Sequence, residues 1–240
     1  MRRLFQRAAL VSGALLSAVS LASAQTVDEI VAKNLEAKGG VQKLRETSSV
    51  RLSGVMTLQG ARGTTVTMSK RPTSFRREVD INGQKMVQAY DGTTMWIAPA
   101  GMPAQEMPPG PQTELLKRNV EFDAQFLDWQ QKGHKIEYRG KITEAGKEFH
   151  HLAFIPKAGP PIDYFLDPET GLESKTVMTI EEPGGKGKME TRFTDYRNID
   201  GRMIPFVMTN VLNGKQVAQI RLDRVEFNIP LDDALFKMPK

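Results

Sequence analysis

Apolar and polar residues alternate along most of the chain between Ser48 and Asn228. The first such segment places one set of residues in the apolar phase: Val50, Leu52, Gly54, Met56 and Leu58. The same alternation recurs over residues 136–142. A period of two is the spacing of side chains on one face of a β-strand. The pattern therefore predicts a large curved antiparallel sheet with one apolar face.

Turn signals divide this region into strands. Four dipeptides accept the positive φ angles of a type I′ hairpin turn, namely Asn82-Gly83, Asp91-Gly92, Asp200-Gly201 and Asn213-Gly214. The predicted strands cover residues 48–59, 63–71, 73–81, 84–90, 93–98, 134–143, 146–156, 161–167, 172–182, 188–197, 202–212 and 215–227. In the last strand the apolar phase changes after Leu222, which predicts a β-bulge near Asp223-Arg224.

Two segments depart from the alternation. Thr26 is a suitable N-cap for a helix that ends at Gly39-Gly40, and a shorter helical turn follows over 41–46. Residues 99–111 are rich in proline and methionine, which predicts a loop. Residues 112–131 place large apolar side chains at helical spacing, and we expect a helix there.

The N-terminus has the features of a secretory signal peptide. Arg2, Arg3 and Arg7 precede an apolar run over 8–21 and the small-residue cleavage site Ala22-Ser23-Ala24. The run is too short to span a bilayer core of about 30 Å. We therefore expect a signal peptide over 1–24, cleaved near Ala24, and one domain over 25–240 in the periplasm. The arginine pair leaves general secretory and twin-arginine export both open.

Composition narrows the classes of function. The chain has 33 basic and 28 acidic residues, and the signal peptide holds three of the basic ones and no acid. The mature protein thus carries a net charge of about +2, without the clustered basic face of a nucleic-acid binder. It has no cysteine, which excludes disulfides and thiolate metal sites.

The residue pattern predicts no catalytic, metal or cofactor site. His150 and His151 are adjacent in a strand, so their side chains point to opposite faces, and His134 follows a glycine turn. Gly184-Gly185-Lys186-Gly187 lacks the spacing of a phosphate loop. The adjacent acids Asp232-Asp233 are typical of a solvated chain end. We expect a protein that is not an enzyme.

Methionines are frequent in the predicted strands. Eight of them lie there: Met56, Met68, Met86, Met95, Met178, Met189, Met203 and Met208. Methionine is flexible and polarizable, so a cavity lined by it adapts to ligands of variable shape. Together with an apolar sheet face, these residues predict a hydrophobic cavity with the helical segments as its cover.

Several motifs resemble one family. The segment 90–97 is similar to the aromatic-Asp-Gly-x-x-x-Trp hairpin of the LolA/LolB-like lipoprotein carriers. The opening helix over 28–40 and the closing segments 193–197, 204–206 and 235–239 also resemble that superfamily, so the likeness covers nearly all of the mature chain. The C-terminal half and the proline-rich loop differ from the typical carrier, which leaves the cargo open.

The resemblance implies an unclosed half-barrel of about eleven strands with helices on its concave side. It implies a cavity that takes the acyl chains of lipoproteins and carries them across the periplasm. It further implies an inner-membrane releasing transporter as donor and an outer-membrane receptor as acceptor. We expect the protein itself to be a monomer.

Strand phase and side-chain size select the residues expected to contact a ligand. These residues are Leu52, Met56, Phe75, Trp96, Phe122, Phe126, Met178, Phe193 and Phe206. We expect the loop with Met102 and Met107 and the helix over 112–131 to form a lid. Two alternatives to the carrier remain open, namely a lipid-sensing regulatory module that binds a protein partner, and a hydrolase on an unrelated β-fold.

Overall fold

The computed structural model describes residues 25–182 and 185–239, so the predicted signal peptide lies outside the described residues. The described chain is mainly β, with three α-helices and one 3-10 turn at Asp233–Leu235. The helices are α1 (Val27–Ala37), α2 (Val41–Glu46) and α3 (Pro111–Asn119). The strands are β1 (Ser49–Leu58), β2 (Ala61–Lys70), β3 (Ser74–Ile81), β4 (Gln84–Tyr90), β5 (Met95–Ala98), β6 (Gln105–Glu106), β7 (Lys135–Glu144), β8 (Lys147–Ile155), β9 (Ile162–Leu166), β10 (Glu173–Glu182), β11 (Gly185–Ile199), β12 (Arg202–Leu212) and β13 (Lys215–Phe227).

All thirteen strands form one antiparallel curved sheet, in the order β6-β5-β4-β3-β2-β1-β13-β12-β11-β10-β9-β8-β7. The two halves of the chain each run as a meander, and the pairing of β1 with β13 joins them. The sheet is not closed into a barrel, because β6 and β7 each pair with a single neighbour in the described sheet. The predicted fold class is confirmed, with thirteen strands instead of about eleven.

Turn chemistry explains most of the hairpins. Asn82-Gly83, Asp200-Gly201 and Asn213-Gly214 all have positive φ at both positions, as a type I′ turn requires. Asp91-Gly92 is different, since its carboxylate accepts hydrogen bonds from the backbone N–H groups of Thr93 and Thr94 at 2.9 and 2.7 Å. The prediction of a two-residue turn is wrong there, because the aspartate side chain organises a longer loop.

The predicted bulge in the last strand is confirmed. Ser53 pairs with Arg224 and Gly54 pairs with Leu222, which leaves Asp223 without a partner on β1. The extra residue moves Val225 onto the same face as Leu222. The apolar residues before and after the bulge therefore point to the same face of the sheet.

The helical predictions are confirmed at the N-terminus and only partly in the insert. Thr26 and Glu29 form a capping box at the start of α1, which buries Ile30, Val31 and Leu35. The helix predicted over 112–131 ends at Asn119, and the prediction is wrong beyond that residue. Its later part folds as turns because its side chains and backbone are held by several different elements, as described below.

The outer face of the sheet is covered over β2–β5 by the C-terminal segment, residues 229–239. Trp96 is 1% exposed, and its indole N–H donates to the carbonyl of Phe236 at 2.8 Å. Arg76 donates to the carbonyl of Leu235 at 2.8 Å and lies over the Trp96 ring. This segment therefore covers the outer face of β2–β5 around the buried Trp96 side chain.

Replacing Trp96 by Phe keeps most of the ring and removes the indole donor. We expect the free energy of unfolding to fall by about 1–3 kcal/mol, because the Phe236 carbonyl is left buried and unpaired. Urea denaturation measures this change. Trp129→Phe is the matched control, since that half-buried indole has no hydrogen-bond partner among the described residues. Equal losses in the two variants would contradict the assigned role of the hydrogen bond.

Candidate functional site

The strand register divides the sheet into an inner and an outer face. Residues that pair across antiparallel strands share a face, and alternate residues along a strand share it too. Both helix-covered core clusters lie on the inner face, at opposite ends of the sheet. The first core cluster contains Ile30, Val31, Leu35, Phe126, Leu127, Ile136, Leu152, Phe154, Ile162, Tyr164 and Leu166. The second contains Phe75, Met95 and Val120.

A row of half-buried apolar residues joins β11, β12, β13 and β1 between these two clusters. Phe193 pairs with Met208, Met208 with Ile220, and Ile220 with Met56. We call these four residues the central stripe. All four retain partial exposure, unlike the residues of the two core clusters. The middle of the inner face is therefore a partly exposed apolar strip between two packed clusters, which we call the groove.

Methionines are concentrated on the inner face. Register places six of the eight predicted methionines there, namely Met56, Met86, Met95, Met178, Met189 and Met208. Met68 and Met203 lie on the outer face. Met56 and Met208 belong to the central stripe, and Met178 and Met189 lie on β10 and β11 beside it. Flexible thioether side chains in these positions suit ligands of variable shape.

The connection between β6 and β7, residues 107–134, crosses the inner face. We call it the connecting insert. Met107, Leu116 and Val120 pack in or against the second core cluster, whereas Phe126 and Leu127 belong to the first. The insert therefore reaches from one end of the groove to the other.

Polar contacts fasten the middle of the connecting insert. The Arg118 guanidinium donates to the carbonyls of Ala158 and Pro160, at 3.2 Å each, in the loop between β8 and β9. The Tyr164 hydroxyl donates to the Gln125 side chain at 3.2 Å. Burial lowers the pKa of Arg118, and its Nε and Nη2 atoms are enclosed without a partner among the described residues. The contacts that hold the middle of the insert are therefore polar, and two nitrogens of Arg118 make no hydrogen bond to a described residue.

A second set of contacts joins the insert to helix α2 and to the end of β2. Arg71 pairs with Asp123 at 2.6 Å, lies over the Phe122 ring, and donates to the carbonyls of Leu44 and Thr47. Asp128 has a φ of +56° and pairs with Arg45 of α2 at 2.7 Å. These separate attachments explain why residues 120–133 do not continue α3.

Helix α1 is docked onto the turn between β9 and β10. The Asn34 amide donates to the carbonyl of Gly171 at 2.8 Å, and Lys33 donates to that of Pro168 at 2.6 Å. Asp167 organises this turn by accepting the N–H groups of Glu169 and Thr170 at 2.8 and 2.9 Å. The docking of α1 over the first core cluster thus depends on a turn that one carboxylate organises.

Opposing effects set the ionisation of Asp167. Burial by itself would raise the pKa of this carboxyl group. The Lys147 ammonium, at 2.6 Å, and the two backbone N–H groups outweigh burial and lower the pKa to about 2. Asp167 is therefore ionised at neutral pH and stabilises the turn in that form.

The structure brings some predicted ligand contacts together and separates others. Met56 and Phe193 belong to the central stripe, and Leu52 lies beside it on the inner face. Met178 packs against the first core cluster, whereas Phe126 and Phe75 lie inside the two clusters. The remaining inner-side predictions are Phe206, buried beneath the Arg197 guanidinium, and Phe122, half-buried beneath Arg71.

Two predicted residues lie elsewhere. Trp96 is on the outer face under the C-terminal segment, because its neighbour Met95 takes the inner position. Met102 is 59% exposed in the loop between β5 and β6, whereas Met107 packs against the second core cluster. Sequence reasoning chose Trp96 by size, although Met95 and Trp96 are adjacent and only one of them can face inward.

The histidines are placed as the strand pattern predicts. His150 is buried on the inner face 3.1 Å from the Tyr138 hydroxyl, and burial lowers its pKa. His151 points to the outer face, where it lies 2.8 Å from Asp163 and stacks on Phe165. Within residues 25–182 and 185–239, no group of three or more metal-ligating side chains converges.

Two surface clefts lie away from the central stripe. One, of about 380 Å³, is lined by α1, the start of α2 and residues 126–131. The other, of about 820 Å³, lies between the start of β1, the end of β2 and residues 228–232. Neither is lined by a residue of the central stripe. In the described part of the chain, no helix is long and apolar enough to cross a membrane.

Comparison with known proteins supports the fold through structure and not through sequence. No family model and no curated protein matches the chain. A LolA superfamily protein from Nitrosomonas europaea is similar, with a TM-score of 0.60, 12% identity, and coverage of 89% of this chain and 98% of that chain. A protein domain named for outer membrane lipoprotein sorting, from Vibrio parahaemolyticus, has a TM-score of 0.57 and 11% identity, covering 87% and 94%.

A protein of the DUF1329 family from Desulfovibrio piger is also similar, with a TM-score of 0.57 and 14% identity, covering 88% of this chain and 97% of that chain. These likenesses extend over nearly the whole described chain. The protein has a LolA-like fold.

The Asp167 turn makes a pH dependence testable. Its pKa is about 2 in the folded protein and about 3.9 in an unfolded chain, so the ionised group stabilises the fold above pH 4. This contribution, about 2 kcal/mol, is lost as the pH falls towards 2. We expect Asp167→Asn to flatten the loss of unfolding free energy between pH 5 and pH 2 by that amount, measured by urea denaturation. Glu169→Gln, an exposed neighbour, is the control. A wild-type slope in Asp167→Asn would contradict the assignment.

Proposed function

We propose that this protein is a periplasmic carrier that binds acyl chains of lipoproteins or lipids in the groove on its inner face and transfers them toward the outer membrane. The observation that carries the proposal is the half-buried central stripe, which lies between two fully packed core clusters. The signal-peptide pattern at the N-terminus supports the location.

The energetics of such binding need no chemical step. Burying one methylene group of an acyl chain contributes about 0.8 kcal/mol. The groove offers apolar side chains on four adjacent strands, so a long chain gains along its whole length. The flexible methionine side chains of the groove adapt to ligands that differ in the number and shape of their acyl chains. We therefore propose binding and release without catalysis.

Release requires the groove to become accessible, and the connecting insert is the proposed lid. Its two ends are packed into the core clusters, whereas its middle is held by polar contacts: the hydrogen bonds of Arg118 to the loop between β8 and β9, the bond between Tyr164 and Gln125, and the ion pair of Arg71 with Asp123. Hydrogen bonds of this kind exchange with water at a small net cost. The proposed donor and acceptor are an inner-membrane releasing transporter and an outer-membrane receptor.

A lipid-sensing module that binds a protein partner is the alternative with the same fold. Native mass spectrometry of protein purified from the periplasm separates the two. A co-purifying diacyl or triacyl species supports carriage. A stoichiometric protein partner on a lipid-free chain would favour the sensor and contradict the carrier proposal.

Placing a charge in the central stripe tests the groove directly. We expect Ile220→Glu to weaken binding of a fluorescent fatty acid at least tenfold, because the carboxylate must be desolvated beneath the acyl chain. Fluorescence titration at pH 8 measures the affinity. Gln219→Glu adds the same charge on the opposite face and loses only a 3.1 Å hydrogen bond to Thr209, so it is the matched control. Wild-type affinity in a folded Ile220→Glu variant would contradict the groove.

Removing the Arg118 guanidinium tests the lid. Arg118→Ala breaks both hydrogen bonds to the loop between β8 and β9, and we expect the release of bound fatty acid to vesicles to become about tenfold faster. Stopped-flow fluorescence measures the rate. Glu114→Ala is the control, because the exposed Glu114 side chain pairs with Lys117 within the same helix. Equal release rates in wild type and Arg118→Ala would exclude this fastening as the gate.

A further inference from the structure

An arginine of strand β3 lies on the inner face of the sheet. Arg77 of β3 pairs with Thr67 of β2 on one side and with Gln88 of β4 on the other. Thr67 in turn pairs with Leu52, which lies beside the central stripe. The guanidinium carbon of Arg77 is 5.4 Å from the centre of the Phe75 ring. A cation is thus built into the side of the groove, two strands from Leu52.

The Arg77 guanidinium is only partly satisfied. Its Nε donates to the Thr67 hydroxyl at 3.3 Å, a long hydrogen bond. Among residues 25–182 and 185–239, no carboxylate lies within 4.0 Å of it, and neither Nη atom has a hydrogen-bond partner. These Nη atoms are also not among the enclosed unpaired nitrogens, which include those of Arg118 and Arg202. The two Nη atoms of Arg77 are therefore neither paired with a described residue nor fully enclosed on the inner face.

The neighbouring arginine shows the contrast. Arg76 points to the outer face, where it pairs with Glu78 at 2.7 Å and donates to a carbonyl of the C-terminal segment. Burial lowers the pKa of Arg77, and no neighbouring acid offsets that effect. Arginine stays charged even so, and a partly desolvated charge without a counterion is costly. An anion in the groove would remove that cost.

We propose that Arg77 binds the anionic headgroup of an acyl-chain ligand, through carboxylate or phosphate oxygens, while the chain lies along the central stripe. This inference rests on the proposed function and specifies its ligand as an anionic amphiphile. The planar guanidinium matches carboxylate and phosphate oxygens with two parallel hydrogen bonds. The Thr67 hydroxyl and the Gln88 amide, in the same row, supply further polar groups for the headgroup.

Three ligands with the same sixteen-carbon chain test the proposal: palmitate, a palmitoyl lysophosphatidate, and neutral hexadecanol. Binding is measured at pH 8 by displacement of a fluorescent fatty acid. We expect Arg77→Met to weaken binding of the preferred anionic ligand about tenfold or more and to leave hexadecanol binding unchanged. Arg77→Lys keeps the charge but lacks the planar guanidinium with its two parallel donors, so it should retain part of the preference for anionic ligands over hexadecanol.

Arg62→Gln is the matched control, because Arg62 lies on the exposed end of β2 and its loss changes the net charge equally. We expect wild-type affinities in this variant. The wild-type preference between palmitate and lysophosphatidate identifies carboxylate or phosphate as the headgroup.

The outcomes separate the two proposals. If wild type binds all three ligands equally and Arg77→Met does the same, the headgroup site is wrong and the acyl carrier stands. If Arg77→Met weakens hexadecanol as much as palmitate, the arginine acts on the fold and the headgroup site is again wrong. If wild type binds none of the three ligands, the carrier proposal falls and the headgroup site falls with it.

Discussion

The fold depends on one topological constraint, which is that the connecting insert joins the two edge strands of an open sheet. β6 ends one edge and β7 begins the other, so residues 107–134 have to pass from edge to edge. The insert passes over the inner face, where its apolar side chains enter both core clusters. A cover over the groove is therefore a consequence of strand order, and the strands need no separate domain to close them.

The same arrangement separates stability from binding. The two ends of the sheet are packed tightly, with Leu152 and Leu166 fully buried at one end and Met95 almost so at the other. The C-terminal segment seals the outer face around Trp96. Because these regions carry the packing, the central strands can leave apolar side chains half-exposed without loss of the fold. The groove is the part of the apolar face that stability does not require.

Local sequence signals were enough to predict the sheet. Period-two alternation and the Asn-Gly and Asp-Gly turns placed every strand except β6, which lies in the predicted loop over 99–111, within a few residues of its observed bounds. The phase change after Leu222 located the bulge. The extent of α3 was not predictable in this way, because Arg71 and Arg45, distant in sequence, hold the segment that follows it. The apolar residues over 120–131 have helical spacing, but the same spacing is compatible with a series of turns that contacts both core clusters.

Face assignment was the weaker part of the site prediction. Leu52, Met56 and Phe193 follow from strand phase alone, whereas the choice of Trp96 followed its size and ignored its position next to Met95. Arg76 and Arg77 are adjacent residues of β3. Adjacent strand residues point to opposite faces, so the alternation already placed one of these two arginines inside. The alternation alone did not show which face of the sheet the helices and the connecting insert would cover.

The unpaired edges of β6 and β7 have a mechanical consequence. In a closed barrel, strand number and stagger determine the radius, and backbone hydrogen bonds run around the whole circumference. Here the hydrogen-bonded ladder of the described strands stops at the two edges, and the connecting insert, through its packing and its polar contacts, is what links them. Since no strand pair closes the circumference, a change in the curvature of the sheet, and with it in the width of the groove, would break no strand pair of the described sheet.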